Sequence, residues 1–522
     1  MNGAKALIET LANCGVEVCF ANPGTSEMHL VQALDSVPEM RSILSLFEGV
    51  CTGAADGYAR MTGKPAATLL HLGPGLANGI ANLHNARRAR SPIINIVGNH
   101  PNFHTGLDAP LTSDIDTLAR NYSSWIKTDS TSTTLAQDGA NAFTASLRQT
   151  SGSAGQISTL IMGADAAWEK SAGIAKPNAF PQRAKVENCD VEAAAAAFNN
   201  KGKVMLLVEH HATSPEALII ASKISAHTGC RIVTGTFPAR VEGGPNAPAI
   251  ERLPYFPEQV LAMLSEVDQL ILVGAQVPAS FFAYQATPGL LVPENCTVSR
   301  LCRVEDDAID ALSKLASRLG ASETSPILFE KKEIPKPAGG LNTKTVIQAV
   351  AATMPENLIV ATDSGGGNAA YAYCQNSAPV SWLALTGGAI GQGSPVATGA
   401  AIACPDRPVL ALLGDGGAAY TIQSLWTQAR ENLNVVTLIF ANNSYNILNV
   451  EYSRLGVTEV GEVAASLFDM SNPKIDWVAI AKGFGIEGAY ADTSEELCEL
   501  LENAYENNGP FLIQANIKDR QP

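Results

Sequence analysis

Short, continuous apolar runs recur along the chain at Val16–Ala21, Ala67–His71, Ile93–Gly98, Val204–Val208, Leu270–Val273, Leu358–Thr362, Val409–Leu413 and Val435–Phe440. Each has Gly, Pro, Asn or Asp at or near one end, and most do not alternate with polar residues. Unbroken runs of this length are what strands buried on both faces of a parallel sheet look like. Helical stretches separate them, beginning with an amphipathic stretch from Met1 to Ala12 that carries Ala6, Leu7, Ile8 and Leu11. Strand, helix and strand in repeated alternation predict an α/β fold built from doubly wound parallel sheets. Two proline-bearing segments without apolar period, Ser171–Lys185 and Ser322–Gly340, read as linkers. The expectation is three domains, 1–170, 186–321 and 341–522, which suits a 522-residue chain at roughly 150 residues per domain.

Composition narrows the class. Only 16% of residues are charged against 46% hydrophobic, so the chain can bury a large core. Aromatic residues are few while Ala and Gly abound, which favours helices packed closely on sheets. The net charge of −15 argues against nucleic acid as a partner, and the only dense cationic stretch is Arg87, Arg88 and Arg90. The start of the chain lacks a basic segment followed by an apolar one, and no apolar run approaches ~18 residues. The ten cysteines are scattered without CxxC spacing, as buried reduced thiols would be. These features together predict a cytoplasmic enzyme with no membrane partner.

The strongest chemical signal lies in the last third. Strand Val409–Leu413 runs into Gly414-Asp415-Gly416-Gly417; a helix with Leu425 and Trp426 follows, then strand Val435–Phe440 and Ala441-Asn442-Asn443-Ser444-Tyr445. Asp415 and Asn442 then sit at the carboxyl ends of two strands joined by one helix, where open parallel sheets bind ligands. A carboxylate and an amide oxygen are hard ligands suited to Mg²⁺ or Ca²⁺, and glycines let backbone approach a diphosphate. Taken alone, Gly-Asp-Gly is an ordinary tight turn.

The whole pattern resembles the metal–diphosphate motif of the thiamin-diphosphate enzymes, a superfamily that includes acetolactate synthase, benzoylformate decarboxylase and pyruvate decarboxylase. Gly414–Ile422 and Leu425-Trp426-Thr427 look most like benzoylformate decarboxylase. The resemblance implies Asp415, the Asn442 side chain and the Ser444 carbonyl as metal ligands. Gly416, Gly417, Tyr445 and Asn446 are implied around the cofactor. Ala441 stands where the family has its first Asn, which leaves Asn443 as an alternative ligand.

The resemblance extends to the N-terminal third. Phe47-Glu48-Gly49-Val50 and Gly53–Arg60 match the segment that supplies the cofactor-activating glutamate, here Glu48, in relatives from a partner subunit. A glutamate opening a helix is by itself more often a dipole-matched acid. Thr25, in the turn Asn22–Glu27, is a candidate substrate contact or a helix cap. His71-Leu72-Gly73-Pro74-Gly75-Leu76-Ala77-Asn78-Gly79 resembles a dinucleotide turn, but no Asp or Glu occurs between Gly57 and Leu107 to hold a ribose, so the NAD reading fails. His71 matches a benzoylformate decarboxylase histidine and is suited to proton transfer; Asn78 is implied in cofactor binding. His100, His104, His210 and His211 read as polar loop residues.

Thr386–Pro395 resembles the segment that bends thiamin into a V. It implies the Gly388 carbonyl as acceptor for the 4′-amino group and Ile390 as the wedge between rings. Asp363-Ser364-Gly365-Gly366 resembles a diphosphate-side loop in which Gly365 and Gly366 offer only backbone. In the middle third, Thr287-Pro288-Gly289 is the sole anchor, and it places Tyr284 where benzoylformate decarboxylase has a second histidine. The resemblance thus implies thiamin diphosphate and Mg²⁺ as cofactors, a 2-oxo acid as substrate, and a homodimer or dimer of dimers with shared sites. His71 favours a decarboxylase with possible carboligase activity. An acetolactate synthase-type carboligase and a non-catalytic cofactor-binding subunit are the alternatives. Whether the middle domain holds FAD or ADP is left open by the residues.

Overall fold

The computed structural model describes residues 1–149, 155–199, 202–285, 287–457 and 459–518. The chain divides into two compact units, one of Met1–Arg148, Ala154–Phe180 and Lys332–Pro522, the other chiefly of Pro181–Lys331.

The first unit holds two parallel sheets. The N-terminal sheet contains β1 (Val18–Asn22), β2 (Arg41–Leu44), β3 (Ala66–Leu70), β4 (Ile93–Asn99), β5 (Trp125–Lys127) and β6 (Ile157–Gly163), in the order β2-β1-β3-β4-β6-β5. Apolar side chains from both faces enter separate cores, one around Leu7, Leu11 and Phe143, the other around Phe20, Leu76 and Leu83. Burial on both faces explains why these strands read as continuous apolar runs. The middle unit is built on β7 (Val204–Val208), β8 (Arg231–Thr234), β10 (Glu251–Arg252), β11 (Gln269–Val273) and β12 (Thr297–Cys302), ordered β10-β8-β7-β11-β12; the short β9 (Val241–Gly243) lies between β8 and β10 in sequence. The C-terminal sheet of the first unit contains β13 (Leu358–Thr362), β14 (Val380–Leu383), β15 (Val409–Gly414), β16 (Val435–Ala441), β17 (Glu487–Ala491) and β18 (Phe511–Asn516), running β17-β18-β16-β15-β13-β14. All pairings along these three orders are parallel. The expected α/β class with three doubly wound sheets is what the chain adopts.

Two local boundaries differ from the sequence reading. Val16 and Glu17 lie in the turn between the first helix, Gly3–Cys14, and β1, because Gly15 turns left-handed (φ 103°) and the Val16 N–H returns to Leu11 O. The helix expected after Gly414-Asp415-Gly416-Gly417 is two helices, Asp415–Thr421 and Ser424–Arg430, and Asp415 opens the first. The segments read as linkers contain no helix or strand beyond isolated bridges. No helix among the described residues is long and apolar enough to cross a membrane. No disulfide joins the cysteines; most are buried, and burial pushes Cys19 up to about 12.

Strand order decides where chemistry can sit. In the N-terminal sheet the winding reverses between β1 and β3, and in the C-terminal sheet between β13 and β15. Loops leaving the carboxyl ends of such strand pairs diverge and open a crevice. Asn22 is in register with Leu70, and Thr362 with Leu412. The turn before Glu27, His71, Asp363-Ser364 and Gly414-Asp415 all leave from these two crevices.

Candidate active site

The turn after β1 is a single 3-10 turn, Thr25–Glu27. Gly24 is its N-cap and Glu27 closes it, its Oε2 accepting from the Gly24 N–H at 2.8 Å. The cap reading of Thr25 is therefore corrected: its side chain is exposed at the first position of the turn. Glu27 is fully buried, and the same Oε2 lies 2.8 Å from His71 Nδ1. His71 stands just past β3 as the N-cap of helix Leu72–Ala89, its side chain one quarter exposed. A carboxylate on Nδ1 fixes that nitrogen as the donor and leaves Nε2 as the one that can exchange a proton. In the sequence Glu27 stood out only as the last residue of the turn Asn22–Glu27.

Glu48 begins helix Glu48–Thr62 and is buried at 7% exposure. Its Oε2 accepts from Asn78 Nδ2 at 2.9 Å, so two residues singled out separately form one pair. Asn78 heads a row spaced by helical turns on one face, Asn78, Asn82 and Asn85. Asn82 donates to Gly49 O at 2.8 Å and to Gly391 O at 3.4 Å, and Asn85 donates to Ala389 O at 2.8 Å. His84 Nε2 donates to Gly387 O at 3.1 Å, and burial lowers its pKa. Arg60, paired in the interior with Asp56, reaches Ala384 O, Thr386 Oγ1 and Gln392 Oε1 at 2.8, 3.0 and 3.2 Å. Gly388 and Ile390 thus lie on a segment held by N-terminal residues of the same chain. The i, i+4, i+7 spacing of the asparagines was the available signal for this row.

In the C-terminal crevice, Asp415 is buried at 3% exposure. Its Oδ1 accepts from the Gly416 N–H at 2.9 Å and its Oδ2 from the Asn443 N–H at 2.6 Å, yet burial pushes its pKa up to about 6. Asn443 is left-handed (φ 54°), and its carbonyl accepts from Met470 N–H at 2.9 Å. The Asn442 Oδ1 accepts from the Ser444 N–H at 3.0 Å. Ser444 and Tyr445 are pinned to Phe468 O by the Ser444 hydroxyl and the Tyr445 N–H. Asn446 opens helix Asn446–Arg454 with its Oδ1 buried and without a hydrogen-bond partner. Gly365 and Gly366 open helix Gly365–Cys374, whose cap is Ser364 Oγ accepting from Gly367 N–H at 2.8 Å. Asp363, quoted in the sequence only as part of its loop, proves to be buried between Gly391, Gly393 and Gly417.

The middle unit has its own crevice of about 250 Å³ past the carboxyl ends of β7, β8 and β11. Glu209 is its only charged lining residue, with Tyr255, Gln276 and Phe281 among the others. A lining with no cation does not fit the diphosphate of FAD or ADP. Tyr284 lies in this unit.

Family models match both ends of the chain: "Thiamine pyrophosphate enzyme, N-terminal TPP binding domain" over residues 1–119 and its C-terminal counterpart over residues 364–515. The Mycobacterium tuberculosis protein IlvX, named for an acetolactate synthase large subunit, is 46% identical over 99% of both chains. Benzoylformate decarboxylase of Pseudomonas aeruginosa is 27% identical over 99% of both. Among solved structures, the thiamine diphosphate-dependent 4-hydroxybenzoylformate decarboxylase of Rhodococcus jostii RHA1 superposes with a TM-score of 0.85 over 100% of both chains at 22% identity.

Proposed function

This chain belongs to the thiamine pyrophosphate enzymes, and from that membership we propose that it is a Mg²⁺-dependent 2-oxo acid decarboxylase with carboligase capacity. The residues present fit the cofactor. Asp415 is a carboxyl whose pKa is raised by burial, and a divalent cation bound there would favour its charged form. The carbonyls of Gly387, Ala389 and Gly391 are taken, whereas no hydrogen bond among the described residues falls on the Gly388 carbonyl. That carbonyl is the one assigned to the 4′-amino group. Asp415, the Asn442 side chain and the Ser444 carbonyl would hold the metal, and the backbone of Gly365, Gly366, Gly416 and Gly417 would face the diphosphate. Tyr445 and Asn446 would flank it.

Thiamin diphosphate, when bound, supplies the carbon nucleophile and the electron sink for the bond beside the carbonyl. The chain supplies proton control. Glu48, oriented by Asn78, would hold a proton at the pyrimidine ring nitrogen, and Ile390 would wedge between the rings. His71, oriented by Glu27, would move a proton at the reacting carbon, with Thr25 facing the substrate.

The Glu27–His71 pair carries the decarboxylase reading, because releasing an aldehyde requires protonating the carbon that CO₂ leaves. General acid–base groups contribute ~10²–10⁴-fold. His71→Ala should lower turnover within that range while hydrogen–deuterium exchange at C2 of the bound cofactor stays near wild type. With an aldehyde acceptor present, the variant should divert relatively more product to ligation. Full turnover in His71→Ala would return the histidine to a structural role. Acetolactate-type ligation would then be the better reading, and the likeness to IlvX favours it.

A further inference from the structure

We infer that Asp363 is a positioning residue that sets the bend of the bound cofactor by anchoring the peptide groups of Gly391 and Gly393; this rests on the thiamin diphosphate reading above. Asp363 follows β13 directly and is therefore rooted in the sheet. Its Oδ2 accepts from the N–H groups of Gly391 and Gly393, both at 3.1 Å.

The segment needs such an anchor. Residues 384–392 form neither helix nor strand, so their peptide groups have no ladder to join. Gly388 and Gly391 are both left-handed, at φ 77° and 93°, a conformation that side-chain-bearing residues rarely adopt. Asn85 fixes Ala389 from both sides, accepting its N–H at 3.2 Å and donating to its carbonyl at 2.8 Å. Thr421 Oγ1 donates to the Gly391 carbonyl at 2.7 Å. Asp363 supplies the acceptor for the two N–H groups beyond Ile390. Ile390 is therefore held between Asn85 at Ala389 and Asp363 at Gly391 and Gly393, while the carbonyl of Gly388, next to Ala389, stays unclaimed.

The other carboxyl oxygen gives Asp363 a second contact. Oδ1 is buried without a hydrogen-bond partner, and a β carbon on Gly417 would lie 3.0 Å from it. The carboxyl is thus lodged between the bending segment and the turn assigned to the diphosphate. It sets the spacing between the two ends of the cofactor without touching its reacting atoms.

Asp363→Ala removes both acceptor contacts, whereas Asp363→Asn keeps one oxygen of the same reach. In protein free of cofactor, amide hydrogen exchange of a peptide spanning residues 386–396 should quicken ~10-fold or more in the alanine variant and stay near wild type in the asparagine variant. With thiamin diphosphate and Mg²⁺ saturating, C2 exchange per bound cofactor should fall ~10²-fold in Asp363→Ala, the scale expected for a displacement of about 1 Å, and recover most of that loss in Asp363→Asn. If the alanine protein does not fold, Asp363→Ser, too short to reach either amide, replaces it in both measurements. Wild-type protection of residues 386–396, or wild-type C2 exchange, in the alanine or serine variant overturns the inference. A wild-type protein that binds no thiamin diphosphate overturns the reading beneath it, and the cofactor-free exchange then still decides whether Asp363 holds the segment.

Discussion

A carboxyl group buried at the end of a strand opposes folding until a cation reaches it, and Asp415 is placed to show that conflict. Burial raises its pKa to about 6 from an ordinary value near 3.8. Between those values the folded chain binds more protons than the unfolded one, so this contribution to stability is lost as pH rises through about 6. In metal-free protein, wild-type stability should therefore fall between pH 4 and pH 7.5, by on the order of 2 kcal/mol from this group, and that part of the fall should vanish in Asp415→Ala. Thermal melting across that pH range measures it. Asp415→Ala should leave the fold intact and collapse thiamin diphosphate affinity, whereas wild-type binding that persists undiminished in excess chelator would sink the metal assignment. Other residues were legible only in part. Glu48 and His71 could be named because their neighbours in sequence form recognisable segments. Glu27 could not, because its significance lies in a contact with a residue 44 positions away.

Helices assembled from small residues bring the two halves of the first unit together. Helix Glu48–Thr62 crosses helix Gly393–Ala403 so closely that a β carbon on Gly399 would lie 1.8 Å from the Ala54 carbonyl oxygen. Backbone cannot yield as a flexible side chain does. Gly399→Val should lower stability by at least ~1–3 kcal/mol, the range for overpacking, and weaken cofactor binding in the same protein. A variant that melts with wild type would show that the crossing has slack. The same elements show what sequence patterning can and cannot reveal. Strands β7, β13, β15 and β16 are buried along nearly their whole length and read cleanly. β5 and β17 are partly exposed edge strands and lack a continuous apolar run. β6 is buried but was concealed by Ser158 and Thr159, whose hydroxyls are satisfied by Ala142 O and by Asn95 and Ser123.

At the scale of the whole molecule, three sheets were countable from alternating patterns, but strand order was not. The crevices that place Glu27 beside His71, and Asp363 near Gly417, depend on which strands pair, and no local pattern encodes that. Assembly is a further level. Ile447, Leu448, Leu455, Val463 and Leu467 expose apolar side chains beyond Asn446. The family resemblance leads to the expectation that Glu48 of one subunit serves Asp415 of another. Mixing inactive Glu48→Gln with inactive Asp415→Ala should therefore restore part of the activity, since one composite site carries neither lesion. Confirmed subunit exchange without activity would mean each chain completes its own site. The central claim, that this enzyme decarboxylates a 2-oxo acid by means of thiamin diphosphate and a divalent metal, has one most direct test. Stripped protein is given a panel of 2-oxo acids, with and without the cofactor and Mg²⁺, and CO₂, remaining acid and carbonyl product are counted together. The account predicts no turnover unless both are present, and then one aldehyde and one CO₂ for each acid consumed. Turnover without them, or two acids consumed per CO₂ with an acetohydroxy acid as the sole product, would contradict it.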